Sequence, residues 1–121
     1  AVLGNDEIIS SEVGEVKAAE DFYTYDAKYN NPKSFTVIPA EVSEDSRRKI
    51  KKLAEKAFLT VGAKGLSRVD FFLKEDGEVI LNEINTMPGF TKISMYPKLF
   101  EAAGIEYSKL IDRLIQLAIY R

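Results

Sequence analysis

The sequence predicts an α+β domain, an antiparallel β-sheet with helices packed on one face. Three observations carry that expectation. An Asp-Gly pair at 76–77 stands between two apolar, β-branched runs, a strong short-range hairpin signal. Residues 43–61 repeat apolar side chains at i, i+3 and i+4, the spacing of one buried helix face. The connections between strand-like runs are too short and hairpin-like for an all-parallel sheet.

Taken in order, residues 1–4 and 7–16 read as strands around an Asn5-Asp6 turn. Residues 17–34, "KAAEDFYTYDAKYNNPKS", are polar, aromatic and punctuated by Asn and Pro, with no clean periodicity. A connection that long in a small domain is usually functional or disordered. Residues 35–40 read as a short strand. Ser43 suits a helix N-cap, with Glu44 and Asp45 at the positive end of the dipole. Ile50, Leu53, Ala54, Ala57, Phe58 and Val61 form its apolar face, and Gly62 or Gly65 ends it. Residues 68–85 form the hairpin, and residues 86–94 a turn-rich loop. Pro97 suits the first turn of a short helix running to Ala103 and stopped by Gly104. A last helix starts near Ser108, with Leu110, Ile111, Leu114, Ile115 and Ala118 along one side.

The chain of 121 residues has the size of a single domain spanning 1–121, and 45% apolar content supplies a core. A net charge of −2 with 30% charged residues gives no broad basic surface of the kind nucleic acid selects. The absence of cysteine excludes disulfides, thiolate metal sites and a Cys nucleophile. The absence of histidine removes the commonest general base and zinc ligand. Chemistry therefore rests on carboxylates, Lys, Arg, Tyr, Ser and backbone amides. The apolar runs fall short of a membrane span and no leader pattern is present, so a soluble, cytoplasmic domain is expected. The opening "AVLGN" lacks Met and already reads as a strand, which suggests a segment of a longer protein.

If Asp76 and Gly77 are the whole hairpin loop, Phe72 faces Leu81, Asp70 faces Glu83 and Arg68 faces Asn85. All six then share one face. Opposed side chains have Cβ atoms about 4.5–5.5 Å apart. Two carboxylates about 4 Å apart repel by ~1 kcal/mol in water and ~4 kcal/mol at a partly buried site. Three remedies exist: a shared proton, an intervening basic residue, or a bound cation. Asn85 adds a carbonyl oxygen to Asp70 and Glu83, and such an all-oxygen set suits Mg²⁺ or Mn²⁺. Arg68 could then pair with a phosphate oxygen shared with the metal. Two plainer readings stay open: an exposed face of mixed charge, and Arg68 neutralising Asp70, its neighbour two residues on.

The apolar pair Phe72 and Leu81, followed by acidic and then basic residues, has the direction of a nucleotide slot. A retaining glycosidase also uses carboxylates about 5 Å apart. That reading leaves Arg68 and Asn85 unexplained, and the chain has no Trp to stack on a sugar. Pro88 and Gly89 form a turn ahead of Ser94, whose hydroxyl and neighbouring amides could make an anion site or an ordinary N-cap. Lys28 and Tyr29, in the long irregular segment, could close over a phosphate or stay solvated.

The stretch "GLSRVDFFLKEDGEVILNEINTMPGFTKISMYP" closely resembles the C-terminal signature of D-alanine–D-alanine ligases, of the ATP-grasp superfamily. "FYTYDAKY" and the closing "LIDRLIQLAIYR" resemble that family too, so the likeness covers essentially the whole chain. The resemblance implies the C-terminal half of an ATP-grasp domain, from an enzyme making a peptidoglycan precursor for the bacterial cell wall. That family uses ATP to phosphorylate one D-alanine and joins the resulting acylphosphate to the amine of a second. The likeness implies that Asp70, Glu83 and Asn85 hold two Mg²⁺ (or Mn²⁺) ions on ATP phosphates. It implies that Arg68 stabilises the transferring phosphoryl group, that the Gly89 amide helps form an oxyanion hole, and that Ser94 binds the second D-alanine's carboxylate. Lys28 would reach the γ-phosphate, Tyr29 would order its loop, and Phe72 and Leu81 would line the adenine end.

The resemblance also implies an N-terminal domain and a central domain with a glycine-rich phosphate loop, neither of which precedes Ala1. The chain by itself is therefore expected to fold but not to ligate. The other expectation is an inactive nucleotide- or metal-binding fragment, or one that forms a homodimer through a vacated domain interface. D-Alanine and ATP are the expected partners, with neither nucleic acid nor membrane.

Overall fold

The structure, a computed structural model, describes residues 1–18 and 34–121. Strands β1 (Val2–Gly4), β2 (Ile8–Ser10), β3 (Glu15–Ala18) and β4 (Ser34–Val37) precede helix α1 (Glu44–Thr60). Then follow β5 (Gly65–Leu73), β6 (Val79–Asn85), α2 (Met95–Ala102) and α3 (Tyr107–Ile119). A four-stranded sheet has the order β2-β1-β5-β6, and β3 pairs with β4 in a second sheet. Every pairing is antiparallel, as the short connections require.

The Asn5-Asp6 turn is present, and its neighbour Gly4 explains its tightness. Gly4 sits at φ 137°, where an added Cβ would lie 2.1 Å from the Glu7 carbonyl oxygen. No other residue fits there. The Asn5 amide then locks three elements together. Its Nδ2 donates to the Leu117 carbonyl at 2.9 Å, and its Oδ1 accepts from the Gly65 N–H at 3.2 Å.

The strand expected over 7–16 is two strands in two sheets. The break falls where Gly14 passes so close to α2 that a Cβ would meet Leu99 Cδ2 at 2.6 Å. Arg47 fastens this crossing to α1: Nη1 pairs with Glu12 Oε1 at 2.7 Å and Nη2 donates to the Ala40 carbonyl at 2.8 Å.

Helix α1 starts as expected, with Ser43 Oγ accepting from the Ser46 N–H at 3.1 Å. It ends at Gly62, φ 67°, where the Gly62 and Ala63 N–H groups bond back to Leu59 and Phe58. Helix α2 starts at Met95 behind Ser94, which puts Pro97 in its first turn as expected, and stops at Gly104 in the same manner as α1. The buried stripe of α3 is Leu110, Leu114 and Leu117. Ile111 and Ile115, expected on the inner side, stay 36% and 52% exposed.

The expectation of helices on one face is corrected by the core. Successive strand residues point to opposite faces, and β1 uses both. Val2 joins Ala54, Phe58 and Val69 beneath α1, whereas Leu3 joins Tyr96, Phe100 and Leu110 beneath α2 and α3. Helix α1 therefore covers one face and the α2–α3 pair the other. Each fully buried apolar side chain contributes about 1.5–3 kcal/mol. Tyr96 adds a bond from its hydroxyl to the Val2 carbonyl at 2.9 Å, and burial pushes its phenol well above its ordinary pKa.

Candidate active site

Strands β5 and β6 carry most of the residues singled out by sequence. Arg68 pairs with Asn85 and Asp70 with Glu83, as the hairpin arithmetic predicts. Nearer the turn the register slips by one residue, so Phe72 faces Ile80 and Phe71 faces Leu81. The expected Phe72–Leu81 pairing is thereby corrected. Its cause is the loop, which is longer than two residues. Lys74 N–H bonds to the Glu78 carbonyl and Gly77 N–H to the Lys74 carbonyl, both at 2.9 Å, while Asp76 Oδ1 accepts from Glu78 N–H. A bulge between Asp70 and Phe71 absorbs the difference, leaving Asn82 as the extra residue. Bulges re-aim side chains, and this one sits directly against the carboxylate pair.

Arg68 resolves the repulsion between the two carboxylates. Its Nε donates to Asp70 Oδ1 at 2.9 Å and its Nη2 to Asp70 Oδ2 at 3.0 Å. The same Nη2 lies 3.6 Å from Glu83 Oε1. The hydrogen bond to Asp70 raises the guanidinium pKa further above its ordinary value, against the opposing effect of burial. Of the three remedies for opposed carboxylates, the structure shows the intervening basic residue. The cluster is half open: Arg68 is 26% exposed, Asp70 35% and Glu83 56%.

Asn85, at the end of β6, anchors the next loop, because its Oδ1 accepts from the Met87 N–H at 3.1 Å. That loop brings Gly89 and Ser94 together; a Cβ on Gly89 would lie 3.5 Å from Ser94 Oγ. Ser94 occupies the N-cap position of α2, yet its hydroxyl makes no cap bond. It turns back instead to accept from the Thr91 N–H at 2.9 Å and to bond Thr91 Oγ1 at 2.8 Å. Sequence reasoning missed Thr91; a Ser/Thr pair three residues apart before a helix is the available signal. Lys28 and Tyr29 lie outside the described residues.

Among the described residues, no three His, Cys, Asp or Glu side chains converge as a metal site. The donor chemistry nevertheless fits a hard divalent cation. Asp70, Glu83 and Asn85 are oxygen donors, and Mg²⁺ commonly takes only one or two carboxylates and completes its shell with water and phosphate. Arg68 occupies one lone pair on each Asp70 oxygen.

A cleft of about 890 Å³ opens beside β5, toward residues 11–14. Of the predicted residues, Arg68, Asp70 and Phe72 line it, while Glu83, Asn85, Gly89 and Ser94 lie outside it. The cleft and the charged face thus meet only at β5.

A family model described as "D-ala D-ala ligase C-terminus" matches residues 1–116. The D-alanine–D-alanine ligase of Shouchella clausii is 54% identical over all of this chain, which covers 33% of that protein. The enzyme of Ruminiclostridium cellulolyticum is 56% identical, with 33% of it covered. Among solved structures, the D-alanine-D-alanine ligase from Coxiella burnetii superimposes with a TM-score of 0.84 at 41% identity. That match covers 99% of this chain and 30% of the other. The VanG D-Ala:D-Ser ligase from Enterococcus faecalis gives 0.81 at 36% identity, covering 96% and 34%. The chain spans about a third of the length of the relatives it matches. It is a C-terminal segment of the D-alanine–D-alanine ligase kind, and with residues 1–116 matched it belongs to that family.

Proposed function

We propose that this chain supplies the phosphate- and substrate-facing half of an ATP-dependent D-alanine–D-alanine ligase. The observation that carries the reading is the Asp70–Glu83 cross-strand pair with Arg68 between them and Asn85 beside them. In the reaction, a D-alanine carboxylate oxygen attacks the γ-phosphorus of ATP and ADP leaves. The amine of the second D-alanine then attacks the acyl carbon, loses a proton and expels phosphate.

Asp70, Glu83 and Asn85 are the residues that would hold Mg²⁺ or Mn²⁺. Bound there, the ions supply charge neutralisation on the ATP phosphates. Arg68, freed from Asp70, presents a planar fork of donors to a phosphoryl oxygen. The Gly89 amide faces the oxyanion that forms at the acyl carbon, a type of contact worth about 3–4 kcal/mol in other acyl-transfer enzymes. Ser94 offers its hydroxyl to the second substrate's carboxylate, held in place by Thr91. Phe72 provides apolar surface for the adenine, and Leu81, on the opposite side of the ribbon after the register slip, is the weaker candidate for that role. Lys28 and Tyr29 would close over the γ-phosphate.

Cell-wall precursor synthesis in the cytoplasm follows as the setting of this activity. Among the described residues no helix is long and apolar enough to cross a membrane. The 121-residue chain, which spans about a third of its relatives' length, is expected to bind Mg-ATP weakly and not to ligate by itself. Dipeptide formation should be assayed with the full-length enzyme carrying Asp70→Asn or Glu83→Gln, alongside the isolated chain. Loss of activity in both variants and none in the isolated chain supports the reading. Normal turnover in either variant would overturn it.

A further inference from the structure

Ser94 stands at the start of α2 without capping it, and the sequence supplies a reason. A capping serine accepts from the N–H of the second or third helical residue. Pro97 is the third residue of α2 and has no N–H to give. The Ser94 hydroxyl turns to Thr91 instead.

Three contacts tie the two residues into a closed ring. The Ser94 N–H donates to the Thr91 carbonyl at 3.0 Å. The Thr91 N–H donates back to Ser94 Oγ at 2.9 Å, and the two hydroxyl oxygens lie 2.8 Å apart. A serine hydroxyl has one proton and two acceptor lone pairs. The Thr91 N–H fills one lone pair, so the direction of the hydroxyl contact decides what Ser94 can offer a ligand. If Ser94 donated to Thr91, its one free site would be a lone pair, which a carboxylate repels. If Thr91 donates, both lone pairs are filled and the Ser94 proton is the one free site.

Position decides which of the two hydroxyls serves the site. A Cβ on Gly89 would lie 3.5 Å from Ser94 Oγ, and no atom of Thr91 comes within 4 Å of it. Ser94 is half-buried there, whereas Thr91 is exposed.

We propose that Thr91 is a positioning residue whose hydroxyl donates to Ser94 Oγ and makes Ser94 a donor-only group toward the second substrate's carboxylate. Thr91 itself does not touch the substrate. The assignment rests on the ligase reading and deepens it, from which residue meets the carboxylate to how its proton is directed. The hydroxyl rotor is set before the substrate arrives, and the bond donated to Ser94 Oγ polarises the proton it offers. An ammonium group in the same place finds no acceptor on Ser94.

The test is a double-mutant cycle in the full-length enzyme, reading kcat, the KM for ATP and the KM for the second substrate. Thr91→Val keeps the branched shape and the backbone N–H and removes only the hydroxyl. It should raise the KM for the second substrate about fivefold, with kcat and the KM for ATP within about twofold of the parent. Thr91→Ser restores the hydroxyl and should restore the KM. In the Ser94→Ala background, Thr91→Val should add less than about twofold, because the group it directs is gone. Thr91 is exposed, so each of its variants should unfold in urea close to the parent. An unchanged KM in Thr91→Val overturns the proposal, and so does a Thr91→Ser variant as impaired as Thr91→Val. An equal rise from Thr91→Val with and without the Ser94 hydroxyl also overturns it, by giving Thr91 a role in loop shape alone. An unchanged KM in Ser94→Ala overturns the Ser94 assignment together with the proposal. The ligase reading itself fails on a different result, a full-length parent that forms no dipeptide.

Discussion

Arg68 grips Asp70 through two parallel hydrogen bonds, of 2.9 and 3.0 Å, on the strand face where Asp70 stands opposite Glu83. A guanidinium thus sits against the carboxylate that is proposed to hold the divalent cation. Guanidinium and cation are expected to compete for it.

That competition gives the first prediction. Arg68→Ala in the isolated chain removes the internal counter-ion and should tighten Mn²⁺ binding. A partly exposed pair is worth up to about 1 kcal/mol, so the gain should be up to about fivefold. Paramagnetic relaxation of water protons measures it. Weaker Mn²⁺ binding in the variant would show that Arg68 does not compete with the cation.

Two serines at helix starts should behave differently. Ser43 caps α1 through the Ser46 N–H, so Ser43→Ala should cost about 1 kcal/mol in urea unfolding. Ser94 makes no cap bond, and Ser94→Ala loses only an exposed contact to Thr91, at about 0.5 kcal/mol. In the full-length enzyme the order should reverse: in steady-state kinetics Ser94→Ala should raise the KM for the second substrate, and Ser43→Ala should leave turnover intact.

Tyr96→Phe deletes the hydrogen bond that joins α2 to β1 inside the core. With the Val2 carbonyl left without that donor, the loss should be about 1–2 kcal/mol by denaturant unfolding. Phe58→Ala, on the other face, opens a cavity under α1 and should cost about 3–5 kcal/mol.

Much of this fold was legible in the residues themselves. Ser43, Gly62 and Gly104 marked helix ends through local chemistry, and the structure has each of them in that role. The Asp70–Glu83 pairing was legible because alternation and an Asp-Gly turn fix a register. The Phe72–Leu81 pairing failed because loop length was read as two residues, when hydrogen bonds of Lys74 and Asp76 extend it. The bulge that restores the register at Asp70 has no local sequence mark. Helices on two faces were also hidden. Three-residue β1 is too short to show alternation, yet Val2 and Leu3 feed opposite cores. In α3 the apolar residues exceed the face that the sheet can cover, so periodicity could not choose Leu117 over Ile111.

The central claim is that Asp70, Glu83 and Asn85 hold a divalent cation against nucleotide phosphate. Calorimetric titration of Mg-ATP into the full-length enzyme, with and without Asp70→Asn and Glu83→Gln, tests it most directly. The account predicts binding that depends on Mg²⁺ and weakens at least about tenfold in each variant, about 1.4 kcal/mol. Unchanged Mg²⁺-dependent affinity in both variants would contradict it.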